Sequence, residues 1–226
     1  KTVVAALDYR NLCEQWKRRP RLLFVAHRKE ILHQARRTFR EVLKDADFGE
    51  LLVDGAEPHR WDFVFASVQS LRASRLEQLD PKRFDVVIID EFHHAQAPTY
   101  NTLLDHFQPR ELLGLTATPE RGDGENVQKY FDYRVAHELR LWDALRLQLL
   151  VPMHYYGIAD GTDLSSLTWI RGKKDYNSRE LSEFYIKAGE KRTRFIINEL
   201  NRRIFDLSEM KAIGFCVTIA HAKYMA

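Results

Sequence analysis

The sequence is poor in cysteine. Cys13 and Cys216 are the only two, and neither sits in a metal-ligand spacing. That excludes a disulfide scaffold and a zinc framework, and it fits buried thiols in a reducing compartment. No apolar run is long enough to cross a bilayer and no signal peptide is visible, so the expectation is no membrane and a cytoplasmic or nucleoid-associated place. There is no internal repeat and no low-complexity tract. Charge of one sign is scarce too: the net charge is +3 with 30% charged residues, too small an excess to establish nucleic-acid binding. What is present is enough for a substantial core. Of 226 residues, 45% are hydrophobic and 12% aromatic, which suits one large domain or one domain plus part of another.

Residues 86–94 read Val-Val-Ile-Ile-Asp-Glu-Phe-His-His. Four consecutive apolar β-branched residues fit a strand buried on both faces, as in parallel sheets. Asp90 and Glu91 follow at once. In open α/β sheets ligands bind beyond the carboxyl ends of the strands, and two acids there can hold Mg²⁺ and position water against a phosphate. The plainer alternative is an acidic surface turn. The chain opens Lys1-Thr2 and then Val3-Val4-Ala5-Ala6-Leu7. A phosphate-binding loop ends in Gly-Lys-Thr and runs into a helix. The glycine-rich part is missing here, so the expectation is a chain cut inside such a loop, with the preceding strand lost.

Strands and helices alternate along the chain. Helices are expected at 3–18, 29–44, near 72–79 and at 98–107. Strands are expected at 22–26, 49–54, 63–67, 86–90 and 112–116. That alternation predicts a parallel sheet with right-handed crossovers. Val4, Leu7, Leu12 and Trp16 are the core candidates of the first helix; Ile31, Leu32, Ala35, Phe39 and Val42 are those of the second. A connecting helix is expected at 139–150 and a strand at 153–159. A loop at 160–178, a helix at 181–203, a strand at 210–217 and the start of a helix from 219 complete the reading. Basic residues cluster at 17–21 and at Arg28, Lys29, Arg36, Arg37 and Arg40. Singly each reads as a solvated helix face; as a group they can neutralise backbone phosphates.

Taken together, these segments resemble the helicase superfamily 2 core, in the DExH branch related to restriction-enzyme motor subunits. Lys1-Thr2 is similar to the end of motif I, residues 25–32 to motif Ia, and residues 66–71 to motif Ib. Asp90-Glu91-Phe92-His93 is similar to motif II. Thr116-Ala117-Thr118-Pro119, extended to Gly124, is similar to motif III, and residues 213–217 to the strand that bears motif IV. The resemblance implies an α/β fold: a RecA-like parallel sheet flanked by helices, then the beginning of a second RecA-like domain. It implies a first domain at 1–138, a linker helix at 139–151 and a partial second domain at 152–226. The later arginine-bearing motif VI is not found, so little ATPase activity is expected of this segment alone.

By the same resemblance the intact protein is an ATP-dependent helicase or translocase using ATP and Mg²⁺. Lys1 and Thr2 would bind nucleotide, Thr2 and Asp90 would hold the metal, and Glu91 would orient or deprotonate the attacking water. His93, Thr116 and Thr118 would couple hydrolysis to movement. Arg28, Lys29, Gln69 and Ser70 would touch nucleic acid, with DNA favoured over RNA. For Gln69 and Ser70, helix capping is an equal alternative. Two other readings stand beside the motor: a non-hydrolysing nucleic-acid-binding module on the same fold, and an unrelated phosphate-loop NTPase.

Overall fold

A computed structural model describes residues 1–94, 98–118, 127–171 and 175–226. Part of the motif-III stretch, from Pro119 to Gly124, lies outside the described residues. The chain divides into two compact units, Lys1–Leu141 and Trp142–Ala226.

The first unit carries α1 (Thr2–Trp16), β1 (Leu22–Ala26), α2 (Lys29–Leu43), β2 (Glu50–Leu52) and β3 (Phe63–Ser67). A 3₁₀ turn (Val68–Ser70), α3 (Ala73–Leu76), β4 (Val86–Asp90), a second 3₁₀ turn (Phe92–His94), α4 (Pro98–His106) and β5 (Glu111–Leu115) follow. The five strands form one sheet in the order β2-β3-β1-β4-β5, and every pairing is parallel. The α/β sheet expected from the sequence is therefore formed. β1 and β4 are buried along their whole length, which is why their sequences read as unbroken apolar runs.

Side chains alternate between the two faces of the sheet. Leu22, Phe24 and Ala26 of β1 join Val86 and Ile88 of β4 in the layer beneath α1 and α2. Leu23, Val25, Val87 and Ile89 join Tyr100, Leu103 and Phe107 beneath α4. Phe39 of α2 anchors the first layer, with ring centroids 5.8 Å from Tyr9, 5.9 Å from Phe24 and 5.4 Å from Phe65.

Helix α1 keeps Leu12 and Trp16 of its expected core, partly buried against the layer, but not Val4 and Leu7. Ala5, Ala6 and Tyr9 are buried, whereas Val4 is 59% and Leu7 37% exposed. The sequence offers two apolar stripes on opposite sides of this helix. The stripe that wins pairs small alanines with a tyrosine whose hydroxyl donates 2.6 Å to the Pro20 carbonyl, so its buried polar group is satisfied. Cys13 and Cys216 are free, and they are partly buried where buried thiols were expected.

The second unit contains α5 (Leu141–Arg146), the two-residue strands β6 (Trp169–Ile170) and β7 (Asp175–Tyr176), α6 (Ser178–Asn201) and α7 (Ile219–Met225). α5 begins one residue before the division of the units. The long helix expected at 139–150 is confined to its middle, because Gln148 takes a left-handed conformation with φ of +57°. α6 is interrupted at Gly189, whose φ of 34° and ψ of −116° are not helical. The strands expected at 153–159 and 210–217 do not form. A strand needs a neighbour to satisfy its backbone, and the unit's only ladder is the antiparallel β6–β7 pair, among the described residues. Among the described residues no helix is long and apolar enough to cross a membrane.

Candidate functional site

The carboxyl ends of β1, β3, β4 and β5 lie along one edge of the sheet, as parallel pairing requires. Asp90 is the last residue of β4 and pairs with Leu115, so Glu91 and Thr116 leave adjacent strands side by side. Asp90 is 5% exposed. Its Oδ1 accepts the backbone N–H of Glu91 at 2.9 Å. Glu91 has φ of +51°, a left-handed conformation that few non-glycine residues adopt. Such backbone is retained where its surroundings impose it, commonly at functional sites.

Lys1 comes to the same place from the far end of the sequence. Its Nζ lies 2.5 Å from Glu91 Oε1 and 3.8 Å from Asp90 Oδ1. Lys1 is also the N-cap of α1 and makes no side-chain cap bond, and Thr2 opens the helix directly after it. The first N–H groups of α1 thus stand beside a lysine and two acids, an arrangement suited to a phosphate and its counter-ion. Burial works to raise the Glu91 carboxyl. The Lys1 hydrogen bond and charge, with smaller contributions from His93 and His27, outweigh it and hold the group below its usual range.

His93 Nδ1 lies 3.3 Å from Glu91 Oε2 and 3.2 Å from the Thr116 hydroxyl. The Thr116 oxygen also accepts the Thr118 backbone N–H at 3.1 Å. Of the two threonines it is therefore Thr116 that links β5 to the acids, while Thr118 is exposed and, among the described residues, contributes only its main chain. One nearby residue escaped sequence reasoning. Tyr100 of α4 is 3% exposed, and its hydroxyl has no hydrogen-bond partner among the described residues. Burial, and then the negative charges of Asp90 and Glu91, push its pKa up to about 12. Nothing in the sequence marks it beyond its place on an apolar helix face.

A cavity of about 620 Å³ opens at the ends of β1, β2 and β3. Lys29, Gln69 and Ser70 line it, together with Ser67, Arg72 and Arg75, which were not among the sequence candidates. Arg28 is the N-cap of α2 and does not line it. Gln69 Nε2 donates to the His27 carbonyl at 3.4 Å, tying the end of β3 to the end of β1. Ser67 is the capping residue of the 3₁₀ turn. Its hydroxyl accepts the Ser70 N–H at 3.1 Å and meets the Ser70 hydroxyl at 2.8 Å.

Residues 1–121 match the family model described as "Type III restriction enzyme, res subunit". The chain belongs to that family. The match spans the whole sheet and ends just past Thr118, so both the acids and the cavity lie within the res-subunit segment. The protein irc3 of Schizosaccharomyces pombe, whose name assigns it provisionally as a mitochondrial ATP-dependent helicase, is 34% identical over 152 residues. The match covers 63% of this chain and 24% of that protein. The DNA 3′-5′ translocase XPB2 of Sulfurisphaera tokodaii is 35% identical over 83 residues, covering 37% of this chain and 18% of the relative. The Hef helicase domain of Pyrococcus furiosus aligns with a TM-score of 0.42 and 18% identity, over 52% of this chain and 28% of that one. The chain thus spans about a quarter of the length of the yeast relative and less of the archaeal translocase.

Proposed function

We propose that this chain supplies the nucleotide-hydrolysing part of an ATP-dependent helicase or translocase that moves on nucleic acid, DNA in preference to RNA. The observation that carries the reading is the meeting of Lys1, Asp90 and Glu91 at one strand edge, with contacts of 2.5 and 3.8 Å. Family membership and the helicase and translocase names of the relatives support it. On this reading residues 1–138 are the first motor lobe, 139–151 the connector and 152–226 the opening of a second lobe. By the same reading its place is the cytoplasm or the nucleoid.

The donor set fits Mg²⁺. Asp90 is a nearly buried carboxylate and Thr2 a hydroxyl at a helix N-terminus, and Mg²⁺ is commonly held by one or two such oxygens together with substrate phosphates. The ion would supply charge neutralisation at those phosphates. Lys1 binds the terminal phosphates of ATP, and in doing so its ammonium leaves Glu91. Glu91, released from Lys1, would then be free to orient the attacking water against phosphorus. His93 keeps Glu91 in place from the other side and passes its position to Thr116.

The test is ATP hydrolysis by the product of the complete reading frame, with and without DNA. Nucleic-acid-stimulated phosphate release is expected. Glu91→Gln should lower it by about 10²-fold or more while leaving nucleotide binding intact, the loss typical for a positioned base. Release that survives Glu91→Gln near the parent rate would sink the assignment.

A further inference from the structure

The cavity at the ends of β1, β2 and β3 carries two cations that are already engaged. Lys29 Nζ donates to Asp54 Oδ2 at 3.0 Å. Arg75 grips Glu57 with both terminal nitrogens, at 2.5 and 2.6 Å. Both acids sit on one short segment that follows β2. Ala56 N–H donates to the Val53 carbonyl at 2.9 Å, and the two residues between them, Asp54 and Gly55, have φ of +52° and +84°. Two left-handed central residues closed by that bond make a type I′ turn, and Asp-Gly suits such a turn. Further along, the Glu50 carboxylate accepts the backbone N–H groups of His59, Arg60 and Trp61 at 2.8 to 3.1 Å for the shortest contacts. The segment is thus tied at both ends and presents its two carboxylates to the cavity. A Cβ built on Gly55 would meet nothing within 4 Å, so the turn projects into open space.

Two carboxylates, each bonded to a cation that lines the same cavity, reproduce what two phosphates of a nucleic-acid backbone would offer. An arginine held by two parallel N–H···O bonds is the geometry shared by carboxylate and phosphate recognition. We propose that Asp54 and Glu57 are stand-ins for backbone phosphates, and that a nucleic-acid strand enters this cavity by taking Lys29 and Arg75 away from them. The acids thereby set the affinity of the track and reject isolated anions. One phosphate offers too little to displace the turn, whereas successive phosphates of a strand displace both acids together. The inference rests on the proposed motor function and on the expectation that Lys29, Gln69 and Ser70, which line this cavity, touch nucleic acid.

The experiment measures binding of a labelled single-stranded oligonucleotide by fluorescence anisotropy at physiological salt, where charges beyond about 8 Å are screened. Asp54→Asn and Glu57→Gln should each tighten binding by about two- to fivefold, the range an exposed ion pair accounts for. The gain from Asp54→Asn should vanish in a Lys29→Ala background, and that from Glu57→Gln in an Arg75→Ala background, because each acid acts through its own cation. Equal gains in both backgrounds would show a diffuse charge effect and overturn the proposal. So would weakened or unchanged binding in the two single variants. The two pairs are independent, so if one substitution disturbs the turn the other still carries the test. Should Lys29→Ala weaken binding while neither acid variant changes it, the cavity stands as the nucleic-acid site and only the stand-in role falls. Should Lys29→Ala, Arg75→Ala and Gln69→Ala all leave binding unchanged, the strand does not use this cavity and both readings fall.

Discussion

Asp85 shows how a single side chain joins distant parts of the fold. Its carboxylate receives two hydrogen bonds from Arg18, at 3.0 and 2.9 Å, and the Arg21 backbone N–H at 2.7 Å. The Arg18 hydrogen bonds, with the Arg21 N–H and both charges, overcome burial and draw its pKa from an ordinary 3.8 down to about 2. A group depressed on folding stabilises the folded state above its unfolded pKa. That contribution is lost as pH falls from about 3.8 toward 2. Arg18 is nearly half exposed, so water screens the pair and the contribution is about 1–2 kcal/mol. In urea unfolding, Asp85→Asn should be less stable than the parent by that amount at pH 5, and the gap should shrink as pH falls through 3.8 and close only below about 2. A gap that is constant over this interval would place the effect elsewhere. If Thr116 carries the proposed coupling, Thr116→Val should uncouple movement from hydrolysis, whereas Thr118→Val should preserve both, since among the described residues Thr118 lends only its backbone N–H. Triplex displacement run beside phosphate release measures the two activities. Equal behaviour of the two variants would refute the assignment. Thr116 and Thr118 look alike in the sequence; only the His93 contact tells them apart.

Among the elements, strands were more legible than helix faces. β1 and β4 announce themselves because a strand buried on both sides must be apolar throughout, whatever lies above or below it. α1 has apolar residues on two sides, and periodicity alone cannot say which one meets the sheet. The aromatic layer beneath α1 and α2 converges on Phe39, so Phe39→Ala should cost about 3–5 kcal/mol in chemical denaturation. A loss below about 1 kcal/mol would show that the layer closes over the gap. β5 is bound to the acids by a close approach. A Cβ on Gly114 would lie 2.6 Å from Phe131 Cζ and 2.8 Å from Phe92 Cγ. Gly114→Ala should therefore destabilise by about 1–3 kcal/mol. It should also lower ATP turnover, because the ring it displaces follows Glu91 directly. A stable variant with full turnover would show that Phe92 yields without moving the acid.

At the scale of the whole molecule the two units are unequally built. Among the described residues, Ala144 is the only buried hydrophobic side chain beyond Leu141. Phe205 and Phe215 are fully or almost fully exposed, and Tyr155 is 88% exposed. Local stability follows buried contact, so opening should be graded across the chain. In hydrogen exchange read by mass spectrometry, amides of β1 and β4 should be protected by orders of magnitude over those of residues 204–218. Comparable protection in both stretches would contradict that ordering.

By itself the sequence determined the parallel sheet of the first unit, the order of its strands along the chain and the acids at the tip of β4. These follow from local chemistry: apolar runs of strand length, helical spacing between them, and polar residues where a strand must end. The tertiary structure alone decided that Lys1 meets Asp90 and Glu91, that Lys29 and Arg75 are held by Asp54 and Glu57, and that residues 153–159 and 210–217 do not pair. Each of those outcomes depends on which groups far apart in the chain lie within a few ångströms, and a backbone ladder or an ion pair exists only when its second half arrives.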